Sequence, residues 1–405
     1  MADNVIIYAI GMFFLMNPPL PEKSMIYLDN SATTRVTEPV AKIADRYMTE
    51  LFYNPASNYP PSVQIEKEIL SFRSMFSDYG YAPGEVFFTS GGTESNNISV
   101  FGCVRKLRGK HRIITSKVEH PSVYNVFRYL QERNPDLDVV FLDVEHSGRA
   151  DLDQLESCLN EETALVSLMH VNNETGAVND LNAISALIRK HAPKAVFHSD
   201  GVQSFCKFPA ERIPCDLYSV SGHKLHAPKG VGILLMKKNT PNEGGLIGGG
   251  QENGFRSGTT NVPSILALKE AVRIYRDSSD AFIGQMRRCK LRLYANLISM
   301  EDVFLNGPAA DGGAPHILNL SFAGVRGEVL LNALAAHEIY VSTGSACSSS
   351  QKSENRILSA MRLDKARRES AIRFSLCPYT TEEEIDLASE AIRQEVAKLR
   401  KYRRR

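Results

Sequence analysis

The sequence predicts an α/β fold, in which a large domain with a mostly parallel seven-stranded sheet is followed by a smaller α+β domain. From about residue 60 to residue 236, short apolar segments alternate with helical stretches. This alternation is typical of a parallel sheet with helices on both faces. Beyond about Gly258 two long helical patterns replace it. With 405 residues, the chain can bury a large core and form more than one domain.

The predicted elements of the large domain are short apolar strands separated mostly by helices. Strands are expected at 85–89, 112–115, 139–142, 164–170, 195–198, 217–220 and 231–236. Helices are expected at 61–78, 93–107, 123–131, 152–159 and 181–191. In a sheet of this kind a ligand binds beyond the carboxyl ends of the strands.

The smaller domain is predicted from a mixture of long helices and isolated strands. Helices are expected at 262–276, 281–300 and 328–336, and strands at 317–322 and 340–341. The last helix follows Thr381, because Glu384 completes a capping box and an apolar stripe with helical spacing comes after it. The predicted organisation is an N-terminal extension (1–24), a segment joining the small domain (25–40), the large domain (41–276) and the small domain (277–405).

Charge balance and cysteine usage exclude several classes of protein. There are 47 Lys and Arg against 46 Asp and Glu, so the net charge of +1 gives no electrostatic reason for direct binding to nucleic acid or to an anionic membrane. The seven cysteines are scattered, with no CxxC pair, which is a poor disulfide framework and a poor zinc site. We therefore expect a cytoplasmic protein with no resident metal.

The first 24 residues are interpreted as a dispensable extension, or as the result of a start codon placed upstream of Met25. Val5–Met16 is an apolar run of twelve residues, which is too short to span a bilayer as a helix. It lacks a preceding basic region and a small-residue cleavage site. The alternatives are a weak anchor or signal-like segment and a packed N-terminal strand.

Three polar motifs follow predicted strands and together indicate a pyridoxal phosphate (PLP) site. Lys224 ends Ser-Gly-His-Lys at 221–224, and a lysine inside a cleft can form an imine with an aldehyde. Asp200 ends an earlier strand, and a carboxylate on the pyridine nitrogen makes PLP an electron sink. The glycines of 89–97 (TSGGTESNN) precede a helix whose N-terminus favours a phosphate. Each motif is weak alone, and their order makes PLP the better explanation.

The sequence resembles the cysteine desulfurases of the NifS/IscS type, within the class V aminotransferase group of fold-type I PLP enzymes. The resemblance runs from 27–34 (YLDNSATT) to 371–376 (AIRFSL) and rests on the order and spacing of several motifs. It implies a fold-type I PLP-dependent transferase that works as a homodimer. The implied reaction converts L-cysteine to L-alanine and leaves a persulfide on Cys347.

The resemblance also implies a role for each residue that matches a motif. Lys224 would form the Schiff base with PLP, Asp200 would pair with the pyridinium nitrogen, and His120 would stack on the ring and carry protons. The implied contacts to the ring oxygen come from Asn172 and Gln203. The implied phosphate ligands are Gly92, Thr93, Ser221 and His223, with Thr259 reaching the phosphate of the other subunit. Arg373, together with Asn172, would bind the substrate carboxylate, for which a planar guanidinium is suited.

Cys347 decides which reaction is expected. It lies in 342–350 (STGSACSSS), whose small polar residues are typical of an exposed loop. The resemblance implies that its thiolate takes the substrate sulfur and passes it to an acceptor protein, such as an iron–sulfur scaffold or a tRNA-thiolation enzyme. With such a partner Cys347 could transiently ligate an iron–sulfur cluster. The other six cysteines are expected to be structural.

Three positions depart from the family pattern, and two other functions stay open. Tyr59 stands where the family often has His, Asn253 where it often has Arg, and Gly92 where it often has Ala. One alternative is a selenocysteine lyase or a cysteine-sulfinate desulfinase on the same fold. The other is a sulfur-relay or scaffold-binding protein without catalysis, against which the intact Lys224 and Asp200 argue.

Overall fold

The computed structural model describes residues 25–343 and 355–403, so the predicted extension 1–24 and Cys347 lie outside the described residues. The helices are α1 (Glu38–Thr49), α2 (Pro60–Ser74), α3 (Gly92–Val104), α4 (Pro121–Arg133), α5 (Leu152–Cys158), α6 (Leu181–His191), α7 (Val262–Asp277), α8 (Ser279–Ile298), α9 (Gly327–Ala335), α10 (Arg356–Ala360), α11 (Lys365–Glu369) and α12 (Glu382–Arg403). The strands are β1 (Ile26–Tyr27), β2 (Val86–Thr89), β3 (His111–Ser116), β4 (Leu137–Leu142), β5 (Thr163–Ser167), β6 (Val196–Asp200), β7 (Leu217–Ser221), β8 (Gly232–Met236), β9 (Val303–Leu305), β10 (Ile317–Phe322), β11 (Ile339–Tyr340) and β12 (Ala371–Ser375).

The central sheet has seven strands in the order β2-β8-β7-β6-β5-β3-β4. Only β8, among these strands, runs antiparallel to its neighbours. Consecutive side chains of β3 enter different apolar cores, Ile114 on one face and Ile113 on the other. The sheet is therefore covered on both faces, and the predicted α/β fold with a mostly parallel seven-stranded sheet is confirmed.

A second sheet, in the order β12-β10-β9, is antiparallel. Its apolar side chains form one core with residues of α8, α9 and α12. The predicted capping box begins α12, because Thr381 N donates to Glu384 Oε2 at 2.8 Å and Glu384 N donates to Thr381 Oγ1 at 3.1 Å. Within residues 25–343 and 355–403, no helix is long and apolar enough to cross a membrane.

The N-terminal segment joins the two sheets. Strand β1 pairs in parallel with β11, with Ile26 opposite Ile339. The chain then passes beside the end of β12, where Asn30 Nδ2 donates to Ser375 O at 2.9 Å, and reaches the end of β7, where Thr34 N donates to His223 O at 3.0 Å. This path brings residues 29–34 across the carboxyl end of the central sheet. The predicted domain limits at 40/41 and 276/277 stay predictions.

Candidate active site

A cavity of about 300 Å³ opens at the carboxyl ends of β6 and β7, a volume at the small end of the range for ligand sites. Eight of the residues predicted for the site line it: Gly92, Thr93, His120, Asp200, Gln203, His223, Lys224 and Arg373. Strands β6 and β7 are neighbours, so the loops that follow them meet at one edge of the sheet. That topology brings together residues that are far apart in the sequence.

Lys224 is buried beside the N-terminal segment, with 8% of its surface exposed. Its Nζ donates to the backbone carbonyls of Ser31 at 2.5 Å and Ala32 at 2.6 Å. Ser31 O also accepts from Gln203 Nε2 at 3.0 Å. The amine is thus held inside the cavity by backbone oxygens, without a carboxylate among these contacts.

A chain of hydrogen bonds connects Asp200 to His120 through two residues that the sequence analysis gave no role. Asn96 Nδ2 donates to Asp200 Oδ2 at 2.7 Å and to Ser122 Oγ at 2.8 Å. Ser122 Oγ lies 2.8 Å from His120 Nδ1, which also accepts from Ser122 N at 3.2 Å. Because Ser122 Oγ accepts from Asn96, its own proton points to Nδ1. Neutral His120 therefore carries its proton on Nε2.

Burial and nearby charges keep the two cavity histidines neutral. Burial lowers the pKa of His120; the Asp200 carboxylate opposes this shift, whereas Lys224 and Arg356 add to it. Burial lowers the pKa of His223 to about 3, and Lys224 contributes to the same shift. Both imidazoles are therefore uncharged near neutral pH, so that each has one nitrogen that donates a hydrogen bond and one that accepts.

One end of the cavity has the form of an anion site. Helix α3 begins there at Gly92, and the first N–H groups of a helix have no partner within it. Gly91 has a φ of +152°, which favours glycine. Ser221 lies behind this turn, since a Cβ on Gly92 would be 3.6 Å from Ser221 Cβ. The backbone and Thr93 can thus hold a phosphate in the predicted place.

Another part of the cavity contains a guanidinium with an unused donor. Arg373 is 5% exposed, and its two terminal nitrogens donate to Asp29 Oδ1 at 2.5 Å and to Asn173 O at 3.1 Å. Its Nε is buried without a hydrogen-bond partner, as is Asn173 Oδ1. Buried polar atoms are normally paired. Both atoms are consistent with a polar ligand in the cavity.

Asn172 is not placed as predicted. Its Oδ1 accepts from Glu174 N and Thr175 N, each at 3.0 Å, and its Nδ2 donates to Val118 O at 3.1 Å. The side chain therefore holds its own turn together and does not line the cavity, whereas Asn173 does. The amide that lines the cavity belongs to Asn173, the next residue along the chain, which the sequence analysis missed.

The remaining predicted residues lie elsewhere or outside the described residues. Thr259 is exposed and lines a separate cavity near Glu252 and Asn261, so it does not touch this site within one chain. Cys347 lies outside the described residues. Burial raises the thiol pKa of Cys103, Cys206, Cys215, Cys289 and Cys377, which makes these thiols poor nucleophiles. Among the described residues no cluster of His, Cys, Asp or Glu could hold a metal ion.

The residues present fit PLP. The amine of Lys224, the carboxylate of Asp200 and the helix N-terminus at Gly92 line one cavity. These are the groups required by the aldehyde, the ring nitrogen and the phosphate of that cofactor. The amide of Gln203 shares the acceptor Ser31 O with Lys224 and would lie near the ring oxygen, and Arg373, with its unpartnered Nε, lines the same cavity.

Comparison with known proteins agrees with this geometry. Residues 26–387 match the family model described as aminotransferase class-V. A cysteine desulfurase IscS from Photorhabdus laumondii is 40% identical over 388 residues, which cover 93% of this chain and 94% of the relative. A solved NifS-like protein superposes with a TM-score of 0.85 at 32% identity, covering 92% of this chain and 99% of its own. The solved structure of SspA in complex with cysteine gives a TM-score of 0.76 at 28% identity, covering 88% and 100%.

Proposed function

Because this chain belongs to the aminotransferase class-V family, we propose that it is a PLP-dependent cysteine desulfurase, which converts L-cysteine to L-alanine and forms a persulfide on Cys347. The observation that carries the proposal is the cavity in which Lys224, Asp200 and Arg373 meet. The relatives named cysteine desulfurase IscS and the cysteine complex of SspA support the choice of substrate.

PLP, when bound through Lys224, supplies an electron sink that stabilises negative charge on the substrate's α-carbon. Asp200 keeps the proton on the ring nitrogen, and Asn96 orients its carboxylate. Gly92, Thr93, Ser221 and His223 hold the phosphate end. Lys224 would bind the aldehyde of PLP and, as a neutral amine, would be the group that removes the α-proton of the substrate.

Arg373 binds the carboxylate of cysteine through its free Nε, while Asp29 and Asn173 O fix the rest of its guanidinium. Asn173 adds its side-chain amide to the same ligand. His120, neutral and protonated on Nε2, would contact the cofactor ring and would move a proton at that nitrogen. These contacts orient the substrate before sulfur transfer.

Cys347 is the nucleophile in this proposal. Its thiolate attacks the sulfur of the bound cysteine, so that an S–S bond forms and the substrate C–S bond breaks. The electron pair of that bond stays with the carbon, which takes up protons and leaves as alanine. The persulfide sulfur then passes to an acceptor protein, such as an iron–sulfur scaffold or a tRNA-thiolation enzyme.

The assembly we propose is a homodimer in the cytoplasm. Exposed Thr259 then completes the phosphate site of the partner subunit, which is consistent with its distance from the cavity of its own chain. An iron–sulfur cluster held transiently by Cys347 and the acceptor belongs to the same proposal.

The test is to incubate the purified, PLP-loaded protein with L-cysteine and to measure alanine and protein-bound persulfide. We expect equal amounts of the two in the first turnover, with the persulfide on a peptide containing Cys347. Alanine with free sulfide and no persulfide would instead favour a lyase. A protein that binds no PLP and forms no alanine would favour the sulfur-relay alternative.

A further inference from the structure

Arg356 is the first residue of α10. Its side chain contacts residues 117–124, the segment that contains His120. Its NH2 donates to Glu119 O at 2.5 Å, and its NH1 donates to Lys117 O. The centre of its guanidinium lies 3.8 Å from the middle of the Tyr124 ring. Tyr124 belongs to α4, whose N-cap is His120. Arg356 thus contacts the backbone just before His120 and a side chain one turn after it.

The position of Arg356 is itself fixed by neighbouring contacts. Asn355 caps α10, since its Oδ1 accepts from Leu358 N at 3.0 Å. The same side chain donates from Nδ2 to Glu174 Oε2 at 3.0 Å. Leu358 is fully buried in an apolar cluster with Val118, two residues before His120. Helix α10 therefore packs against residues 117–124 through apolar contacts, hydrogen bonds and a cation–π contact.

We propose that Arg356 is a positioning residue for His120. Its contacts with Glu119 O and the Tyr124 ring hold the imidazole between them at the angle needed in the cavity, and its fixed positive charge adds to the effect of burial. This inference rests on the proposed role of His120 in the desulfurase reaction. An arginine suits the task because its planar guanidinium bonds to two carbonyls and stacks on a ring at once, which an ammonium does not.

The charges around His120 agree with this assignment. Asp200 faces it from the end of β6 and favours the imidazolium; Lys224, beyond β7, and Arg356 disfavour it. His223 also lies near His120 and is neutral. Glu119, whose burial raises its pKa to about 8, is uncharged near neutral pH and does not offset Arg356. Removing Arg356 should therefore raise the pKa of His120.

The test uses the PLP-loaded enzyme with Arg356→Met, Arg356→Lys and Arg356→Gln, and with Arg362→Met as a matched control. Arg362 is an exposed arginine six residues further along the same segment. The pKa of His120 is measured by histidine NMR, with His120→Gln identifying its signal. Turnover is measured as kcat and KM for cysteine, and thermal unfolding monitors the fold.

Arg356→Met is expected to raise the pKa of His120 and to lower kcat about tenfold or more, since misplacing a reacting group by about 1 Å can cost two orders of magnitude. Arg356→Lys should keep the pKa near that of the wild type, yet still lose part of kcat, because the ammonium cannot make all three contacts. Arg362→Met should change neither quantity.

An unchanged pKa of His120 in Arg356→Met overturns the proposal, whatever happens to turnover. If that variant does not fold, wild-type kcat in Arg356→Lys, or an unshifted pKa in Arg356→Gln, overturns it instead. Failure of the proposed function gives a different result: the wild type would form no alanine, while the pKa shift in the Arg356 variants would still be present.

Discussion

Asn96 fixes the carboxylate of Asp200: its Nδ2 lies 2.7 Å from Asp200 Oδ2, across 104 positions of sequence. The same nitrogen donates to Ser122 Oγ, which in turn contacts His120 Nδ1. One buried amide therefore orients both the ring-nitrogen partner and the histidine of the proposed site. The orientation of Asp200 and the tautomer of His120 are consequently coupled.

Asn96→Ala should slow alanine formation by about one to two orders of magnitude, because a hydrogen bond to a charged group contributes about 1.5–3 kcal/mol. PLP should still bind, since Lys224 and Gly92 are unaffected. The measurement is single-turnover alanine formation beside a PLP titration. Asn97→Ala is the control, because Asn97 Nδ2 donates to two backbone oxygens, Thr93 O at 2.8 Å and Ser122 O at 3.5 Å, and not to Asp200 or to the Ser122 hydroxyl. Equal rates in the two variants would contradict the coupling.

Lys224→Ala should lose the yellow absorbance of lysine-bound PLP and all turnover with cysteine. The physical reason is that Lys224 is the amine held in the cavity, by Ser31 O and Ala32 O. Borohydride treatment followed by peptide mapping checks the assignment in the wild type. The control is Lys229→Ala, an exposed lysine in the same loop. A borohydride-stable PLP adduct on another lysine of the Lys224→Ala variant would show that the assignment is wrong.

Gly92→Ala should destabilise the protein, although the family often has alanine there. A Cβ at this position would lie 2.7 Å from Val202 Cγ2, which is closer than two carbons can approach. Overpacking of this kind costs about 1–3 kcal/mol. The free energy of urea unfolding and the affinity for PLP should both fall, and Gly92→Ala combined with Val202→Ala should recover most of the loss. Gly84→Ala is the control, since nothing lies within 4 Å of its added Cβ.

The sequence predicts those parts of the fold that depend on local apolar patterns. Helix α6 has the predicted limits of Leu181 and His191, and each of the seven predicted strands of the central sheet is present. Strand β12 was missed because the charged Arg373 stands at its centre, where a buried strand normally has an apolar residue. The burial of this guanidinium is explained by its ion pair with Asp29, 344 positions away, and by its hydrogen bond to Asn173 O.

The candidate site also has parts that the sequence predicts and parts that it does not. Motif order correctly predicts that Lys224, Asp200, His120 and Arg373 belong to one cavity. It does not resolve which asparagine of the pair 172–173 faces inward, because a one-residue shift in a turn leaves the motif unchanged. Asn96 and Arg356 were missed for another reason. Their partners are remote in sequence, and neither residue type signals such a contact by itself.

Acid should weaken the fold through His198, which is buried in β6 between Ser167 Oγ at 2.8 Å and Ser219 Oγ at 3.1 Å. Burial lowers its pKa from 6.5 to about 3. The unfolded chain therefore binds a proton below pH 6.5 that the folded chain does not, and stability falls as the pH drops from 6.5 toward 3.

The measurement is the free energy of urea unfolding between pH 4.5 and 6 for the wild type and His198→Gln. The free energy of unfolding should change less steeply with pH in the variant than in the wild type. The difference in slope should be up to about 1.4 kcal/mol per pH unit, which corresponds to one proton. His146→Gln, an exposed histidine, should keep the wild-type slope. Equal slopes in all three proteins would mean that His198 titrates normally in the folded state.

Cys347→Ser should separate substrate binding from sulfur transfer. The described chain before residue 344 reaches the cavity at Ser342. It resumes at Asn355, whose Nδ2 donates to Glu174 Oε2. The binding groups Lys224, Asp200, His120 and Arg373 are untouched by the change. Sulfur transfer needs a thiolate, because a serine hydroxyl near neutral pH is too poorly ionised to attack sulfur. The variant should bind cysteine and shift its cofactor spectrum, yet form neither persulfide nor alanine.

Cys158→Ser is the control, since Cys158 ends α5, away from the cavity lining, and should keep full activity. Full alanine production by Cys347→Ser, or a persulfide found on Cys103, Cys206 or Cys377 of the wild type, would favour the lyase over the desulfurase.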